Sequence, residues 1–524
     1  MKKALPLFGL LAIIGLKSFG QTITYSEHIA PIVYSHCTSC HRAGEIGPFP
    51  LTNYQEVSSW GNMIKYVTSI GYMPPWKPEK EYQHYRFENF LSPQEIQQIA
   101  DWVDQGTPQG NPSLEPPLPN FPTGSQVGNP DLVVSFAQSY LHVGNNIDEY
   151  RYFNIPTGLT ENKDLVALEI RPGNKQIVHH TLVWQDTTGQ SAADDAASPE
   201  YGYTNPSGSA LATINNQLPG YVPGQKPVKY TNGMGMKLYA GADLKLQMHY
   251  APYASDEYDS TSINLFFADQ PVQRYVKSYV MLPLPSILTN GPFIIQANSV
   301  KEFHGQYTTP IDITLVGIAP HMHKLGQHWK VYGVKPTGDT IPLINVNDWD
   351  FNWQGSYAFK SLIPMPAGST IHAYAEYDNT TNNVNNPNNP PQDVSWGEGT
   401  SDEMYYLPVL YMDYQPGDEN ITFNDNPTSA DNGNLRIVQN KLYPVFPNPS
   451  NNQVKIGFTL QTGGRVNLKV VDQQGKLVKE LLSNQFCLPG FFTQTLEVSE
   501  LSQGIYSIVL EIGEQQQTEK LVVE

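Results

Sequence analysis

Cysteine is almost missing from this chain. Three occur in 524 residues: Cys37 and Cys40 lie in one short run, and Cys487 stands alone. The long middle of the chain therefore has no internal disulfide available. Its stability must come from core size and bound ions. Basic residues are also scarce, with 31 Lys and Arg against 49 Asp and Glu and a formal net charge of -18. No basic surface tract is visible, which argues against a nucleic-acid partner. Long apolar runs are missing too, with one exception. Ala4 to Leu16 is apolar, follows Lys2-Lys3 and precedes Ser18 and Gly20. It is short for a membrane span and reads as a secretion signal, residues 1–20, cut before Gln21. No later segment is apolar enough to cross a bilayer, so no transmembrane span is expected in the mature form.

What remains is too long for one core. Residues 21–110 read as a small, largely helical domain. In it Ser92, Pro93 and Glu95 open a helix with an apolar stripe at Ile96, Ile99, Ala100 and Val103, and Gly106 suits its stop. Residues 111–129 are a Pro- and Gly-rich linker. From 130 to 435 short alternating runs such as Asp164–Arg171, Leu244–Tyr250 and Ser369–Tyr377 predict antiparallel β-sandwiches. The stretch exceeds one sandwich, and a division into 130–282 and 283–435 is expected. Residues 441–524 form a small all-β module. The fold class is thus multidomain: one small all-α domain, two all-β sandwiches and a small C-terminal β-sandwich.

Cys37-Thr-Ser-Cys40-His41 offers two thiols that can add to the vinyl groups of a haem, with an imidazole beside them for the iron. CxxC alone could be a thiol redox pair or half a zinc site. The adjoining His and the export signal favour haem, and the lack of a second Cys pair disfavours zinc. A soft ligand for the far side is available at Met73, in Gly71-Tyr-Met-Pro-Pro-Trp76. Met63 competes, but it lies in a helical run where Met more often packs into a core. Taken whole, these motifs and the terminal Ile99–Trp102 helix resemble a class I cytochrome c domain over about residues 25–110. The resemblance implies one covalently attached haem c, carried by Cys37, Cys40, His41 and Met73.

Histidines mark the middle. His179-His180 are adjacent, and adjacent residues on a regular strand face opposite ways. Both reach one ion only if the backbone bends there, or if one serves a supporting role. His249 supplies a third imidazole, and three neutral imidazoles suit copper. His321-x-His323 share a face if they lie on a strand. Met404 adds a thioether, which favours copper over zinc or magnesium. Any one of these alone could be a core residue satisfied without metal.

As an ordered set, His179-His180, Gln247-Met-His249, His321-x-His323 and Asp402-Glu403-Met404 resemble the type II, ascorbate-dependent copper monooxygenases, the family of the peptidylglycine and dopamine hydroxylases. The resemblance covers about residues 130–430 and implies two jelly-roll-like sandwiches facing a solvent-filled cleft. It implies two copper ions. His179, His180 and His249 would hold an electron-storing copper, while His321, His323 and Met404 would hold the one that meets O2 and substrate. Gln247 matches a family residue near the first copper that could orient water or substrate. Three positions depart from the peptide-hydroxylating members, which carry Arg, Asn and Tyr where this chain has Ala319, Tyr406 and Pro408. A peptidylglycine substrate is therefore poorly supported.

The C-terminal run, with Tyr443-Pro-Val-Phe-Pro-Asn-Pro449, Gly504-Ile-Tyr506 and Lys520–Val523, resembles the type A sorting domain of the type IX secretion system. It implies export through periplasm and outer membrane by that machinery, to a secreted or surface-attached state. Cys487 is expected to be a buried, small apolar residue.

Together these readings predict a secreted copper monooxygenase that hydroxylates a small organic substrate with O2. Its electrons would come from ascorbate or from a periplasmic or surface donor protein, through the haem domain. Two alternatives stand beside it: a haem and copper electron-transfer protein without catalysis, and a surface metal- or ligand-binding sandwich protein without turnover.

Overall fold

The computed structural model describes residues 22–121, 124–204, 216–231, 233–423 and 440–524, apart from short breaks at 443–444, 446–447, 461–463, 488–489, 500 and 514. The expected signal segment and part of the Tyr443–Pro449 motif lie outside the described residues. The chain divides into two compact units. One runs to Ala43 and adds Gly47–Pro74 and Phe90–Pro119; the other holds Gly44–Ile46, Pro75–Asn89 and Asn120–Glu524.

The first unit is small and helical. A π-helical turn, Tyr25–Ile29, runs into the helix Ala30–His36, with Pro31 in its first turn where no N–H is missed. Helices Tyr54–Ser59, Gly61–Ser69 and Pro93–Asp104 follow. The last carries the predicted capping box between Ser92 and Glu95. Tyr25, Ile29, Val33, Val57, Ile99 and Trp102 make its core. Met63 is exposed rather than packed into that core.

In the second unit, each half of the 130–423 region is a pair of antiparallel sheets around its own core. The first half has a sheet ordered Leu132–Ser135, Ser262–Phe267, Lys163–Arg171, Met234–Leu238 and Arg274–Tyr275, with only the last pairing parallel. Facing it is a sheet ordered Glu149–Pro156, Asp243–Tyr250, Val178–Asp186 and Gln217–Tyr221. Alternation decides what each strand shows. Leu244, Leu246, Met248 and Tyr250 fill the sandwich core. Lys245, Gln247 and His249 project from the other side. The second half repeats the plan with Lys277–Met281, Leu407–Asp413, Ile313–Ile318 and Tyr357–Met365 against Ser299–Thr308, Thr370–Asn379, Gly326–Val334 and Thr340–Val346. Strand partners change between Tyr275 and Lys277. That is a few residues ahead of the boundary expected at 282/283, because Lys277–Met281 pairs with Leu407–Asp413.

The halves are bonded to each other. Val316, Leu362, Met412, Ile421 and Phe423 of the second join the apolar core of the first. Arg274, at the end of the first half, forms a buried ion pair with Asp418, which also accepts from Thr314. The segment Pro75–Asn89, read from sequence as part of the helical domain, packs on the second half. Glu79 N–H donates to Asn345 O, Arg86 N–H to Ala358 O and the Tyr85 hydroxyl to Leu343 O.

The C-terminal module is a sandwich of two sheets. One has the order Lys441–Leu442, Gln453–Leu460, Gly490–Glu497; the other Leu477–Cys487, Gly464–Val471, Gly504–Ile512, Gln515–Val523. Cys487 is buried in its core.

Candidate metal centre

The adjacent histidines reach one point because the strand bends between them. Val178 pairs with Tyr250 and His180 with His249, and the register slips between Val178 and His180. His179 is the extra residue of this β-bulge, so it escapes the alternation that would turn it to the far face. The result is a triangle of nitrogens. His179 Nδ1 lies 3.2 Å from His180 Nδ1 and 3.1 Å from His249 Nδ1, and the third edge is 3.3 Å. Nitrogens bound to one ion at about 2 Å with tetrahedral angles stand about 3.3 Å apart. The three side chains are a potential metal-binding cluster on geometry alone.

The surroundings keep those nitrogens free. Burial, then the charge of His249, pushes His179 down to about 3. Burial and the neighbouring imidazoles hold His180 well below the ordinary range. For His249, burial outweighs the opposing pull of Asp148. All three are neutral at physiological pH, with lone pairs available. Asp148 Oδ1 accepts from His249 Nε2 at 2.8 Å, which fixes the tautomer and aims Nδ1 inward. The Tyr150 ring stacks on His249 at 4.3 Å and 3°. Nothing around Asp148 in the sequence singles it out.

The second pair does not lie on a strand, as expected for a shared face, but just past the end of Ile313–Ile318. One bridge, His321 to Tyr406, continues the pairing, and His323 is in irregular backbone. The two rings stand 5.2 Å apart at 90°. Here the tautomers are reversed. His323 Nδ1 donates to Asp402 O at 3.1 Å, and His321 Nδ1 donates to the Gln354 side-chain oxygen. His321 Nε2 remains for a ligand, while the His323 ring also meets the Gly399 backbone. Burial holds His321 well below the ordinary range and His323 at about 4. Met322, between them, is fully buried in the sandwich core.

Glu403 ties this loop to the Met404 segment. Its carboxylate is fully buried and accepts the backbone N–H groups of His323, Leu325 at 3.0 Å and Met404 at 2.8 Å. Burial pushes its carboxyl up to about 8 against the pull of those N–H groups. Met404 is buried beside Val280, Leu282 and Tyr406. Its carbonyl accepts from Tyr377 at 2.9 Å.

The two histidine sets are neighbours. The His180 and His321 ring centroids are 5.7 Å apart. Phe351 lies against His179, His249 and His323, at 5.7, 5.9 and 5.8 Å. The loop carrying it also sends Trp349 Nε1 to His323 O at 3.2 Å and Gln354 to His321. Sequence reading passed over this loop.

Gln247 lies on the same strand face as His249. Its amide donates to the Tyr152 hydroxyl at 2.5 Å and to Glu398 at 3.1 Å. Ala319, Tyr406 and Pro408 sit together: Ala319 N–H donates to Pro408 O, and His321 N–H to Tyr406 O. The Tyr406 hydroxyl donates to Gln217 at 3.0 Å.

In the helical unit, His41 Nδ1 donates to Phe49 O at 3.0 Å, leaving Nε2 free. Gly47 makes this approach: a Cβ there would meet Cys40 O at 2.7 Å and His41 Nδ1 at 2.9 Å. Neither Cys37 nor Cys40 is in a disulfide, and the Ser39 hydroxyl donates to Cys40 Sγ at 3.8 Å. Met73 is half-buried in the loop after the helix Gly61–Ser69.

Residues 444–524 match the family model of the secretion system C-terminal sorting domain. No curated protein matches the chain. Among solved structures, a β-glucuronidase of Faecalibacterium prausnitzii is similar at 12% identity and a TM-score of 0.13, over 44% of this chain and 38% of its own. β-Glucuronidase 3 of Bacteroides uniformis is similar at 12% and 0.12, over 49% and 28%. The infectious bursal disease virus VP2 subviral particle gives 12% and 0.17, over 57% and 76%. The chain thus spans well under half the length of these glucuronidases, and the TM-scores carry no argument about fold or chemistry. The sorting domain does: it marks a secreted or surface-attached protein that engages the type IX machinery. Among the described residues, no helix is long and apolar enough to cross a membrane.

Proposed function

We propose that this chain is a copper-dependent monooxygenase, acting with O2 on an activated C–H bond of a small organic substrate. The observation that carries it is the donor set: three converging Nδ1 atoms in one cluster, next to a pair of histidines whose Nδ1 atoms are committed elsewhere. Neutral imidazoles suit copper in its lower oxidation state, and a thioether ligand would reinforce that preference. His179, His180 and His249 would hold one ion, and His321, His323 and Met404 the other. Bound copper supplies one-electron chemistry towards O2 and substrate.

The chain's own residues supply position. Asp148 holds His249 at its Nε2–H and Tyr150 limits its rotation, so the ring cannot turn away between turnovers. Gln354 and Asp402 keep the protons of His321 and His323 on Nδ1. Glu403 fastens the segments that carry the second donor set. Phe351, itself half-buried, covers His179, His249 and His323 on one side. Gln247, held between Tyr152 and Glu398, presents a fixed polar group on the face that carries His249.

In the helical unit, Cys37 and Cys40 would attach haem c. His41, with its Nδ1–H on Phe49 O, would ligate iron and Met73 would supply the far ligand. That haem would pass single electrons from ascorbate or a donor protein.

The test is to load the purified protein with copper and haem, quantify both, and supply reductant, 18O-labelled O2 and a metabolite extract. One label in an organic product, lost in His321→Ala and Met404→Ala, is the expected result. Two coppers that cycle without product would make it an electron-transfer protein.

A further inference from the structure

A further pair of imidazoles converges on the outer face of the second half. His304 lies in the strand Ser299–Thr308 and His372 in Thr370–Asn379. Alternation turns both outward, because their chain neighbours Phe303, Ile371 and Ala373 fill the core. His304 stands opposite Tyr374 and His372 opposite Gln306, so the two histidines are diagonal neighbours on one face. His304 Nε2 and His372 Nδ1 are 3.0 Å apart.

The surroundings repeat those of the three-histidine cluster part by part. There Asp148 holds the outer nitrogen of His249 at 2.8 Å, and Tyr150 stacks on that ring at 4.3 Å and 3°. Here Thr289 Oγ1 holds the outer nitrogen of His304 at 2.9 Å, and Tyr374 stacks on the ring at 4.2 Å and 7°. The Thr289 hydroxyl donates to His304 O at 3.1 Å. Its oxygen therefore accepts from His304 Nδ1–H, and the lone pair of His304 falls on Nε2, toward His372. Tyr332 backs His372, with ring centroids 5.2 Å apart at 24°. Burial lowers both imidazoles below the ordinary histidine range, and for His304 the neighbouring His372 adds to it, so both are neutral at physiological pH.

We propose that His304 and His372 form a separate site for one divalent transition-metal ion of the zinc, nickel or copper(II) class, with water in the remaining positions. Two neutral imidazoles without a thiolate suit these ions. Their nitrogen spacing is close to that of donors sharing one ion, about 3.3 Å for a tetrahedral zinc. The site shares no residue with the centre described above and does not depend on the copper reading of it.

Equilibrium dialysis of the full-length protein against Zn2+, with bound zinc counted by elemental analysis, tests this in the parent, His304→Ala and His372→Ala. Both side chains lie on the solvent side of the sheet, so neither change opens the core. Each variant should hold one zinc per chain fewer than the parent and keep whatever zinc is bound elsewhere. Zinc counts and affinities equal to the parent in both variants overturn the site, and the contact is then a hydrogen bond between imidazoles only. Thr289→Val keeps both imidazoles and frees His304 Nδ1, and it should weaken the same zinc about 10-fold. If the alanine variants lose all their zinc by misfolding, Thr289→Val decides alone, and unchanged zinc binding in it overturns the proposal.

Discussion

Glu403 accepts the backbone N–H of His323 from 80 residues farther along the chain. The same carboxylate takes the N–H of Leu325 and of Met404. One buried acid therefore sets the spacing between the His321-x-His323 loop and the methionine expected to complete its donor set.

Removing that clamp should cost stability and one metal site. Glu403→Ala leaves three buried N–H groups without their acceptor, at about 1 kcal/mol or more each, so roughly 3 kcal/mol in total. Glu403→Gln, with one carbonyl acceptor left, should fall between. Urea unfolding of the metal-free protein gives the energy. Copper titration should show the second equivalent weakened and the first intact. An unchanged midpoint in the Ala variant would rule the clamp out.

Asp148→Ala should act on the other set. Loss of the carboxylate that orients a ligating histidine costs metal affinity about 10- to 100-fold. Competition with a copper chelator should show that loss at the His179, His180 and His249 set, with the second set unchanged. Equal weakening of both sets would point to general unfolding instead.

The buried Arg274–Asp418 pair predicts an asymmetric mutant series. Asp418→Ala leaves the Arg274 charge buried without its carboxylate, and such losses cost about 3–5 kcal/mol. Replacing both partners with apolar residues, Arg274→Met with Asp418→Leu, should recover most of it. Chemical denaturation of the two variants decides the matter, and equal losses would contradict it.

Asp164 gives a pH dependence remote from the histidines. Burial raises its carboxyl, but the Lys237 ammonium, the Val272 N–H and the Tyr275 hydroxyl outweigh that and hold it below the ordinary carboxylate range. A depressed acid stabilises the fold above its unfolded pKa, and that stability is lost as pH falls through the folded value. Unfolding midpoints should therefore drop on acidification below about pH 4, and Asp164→Asn should flatten part of that limb. A variant with the same acid limb as the parent would show that Asp164 does not contribute.

On the proposed haem reading, Gly47→Ala should separate attachment of the group from its ligation. Its new Cβ would crowd Cys40 O and His41 Nδ1 at under 3 Å, while both thiols stay in place. Haem should still attach covalently, with a shifted absorption spectrum and a changed midpoint potential. Spectra identical to the parent would mean the loop moves aside freely.

Much of this was legible because it depends on local pattern. The Ser92–Glu95 box and the stripe at Ile96 and Ile99 set their helix, and alternation at Leu244–Tyr250 set which residues meet the core. The candidate histidines were legible as residue types. What joins them was not. Whether His179 and His180 converge depends on a register slip that only the partner strand reveals. Asp148, Gln354 and Phe351 gain their roles from distant partners, and acids, amides and aromatics are common everywhere. The His321-x-His323 pair was placed on a strand because i and i+2 spacing fits one. The strand stops at Ile318, and Glu403 and Gln354 then do what a ladder would have done.

The bulge at His179 makes the three-histidine cluster depend on chain length as much as on residue identity. Deleting one residue between Ile177 and Thr181 would restore an unbroken ladder and turn a ligand toward the apolar interior. A strand of ordinary regularity would be gained and the convergence of the three imidazoles lost. Insertions and deletions there, more than substitutions, are the changes the centre is least able to absorb.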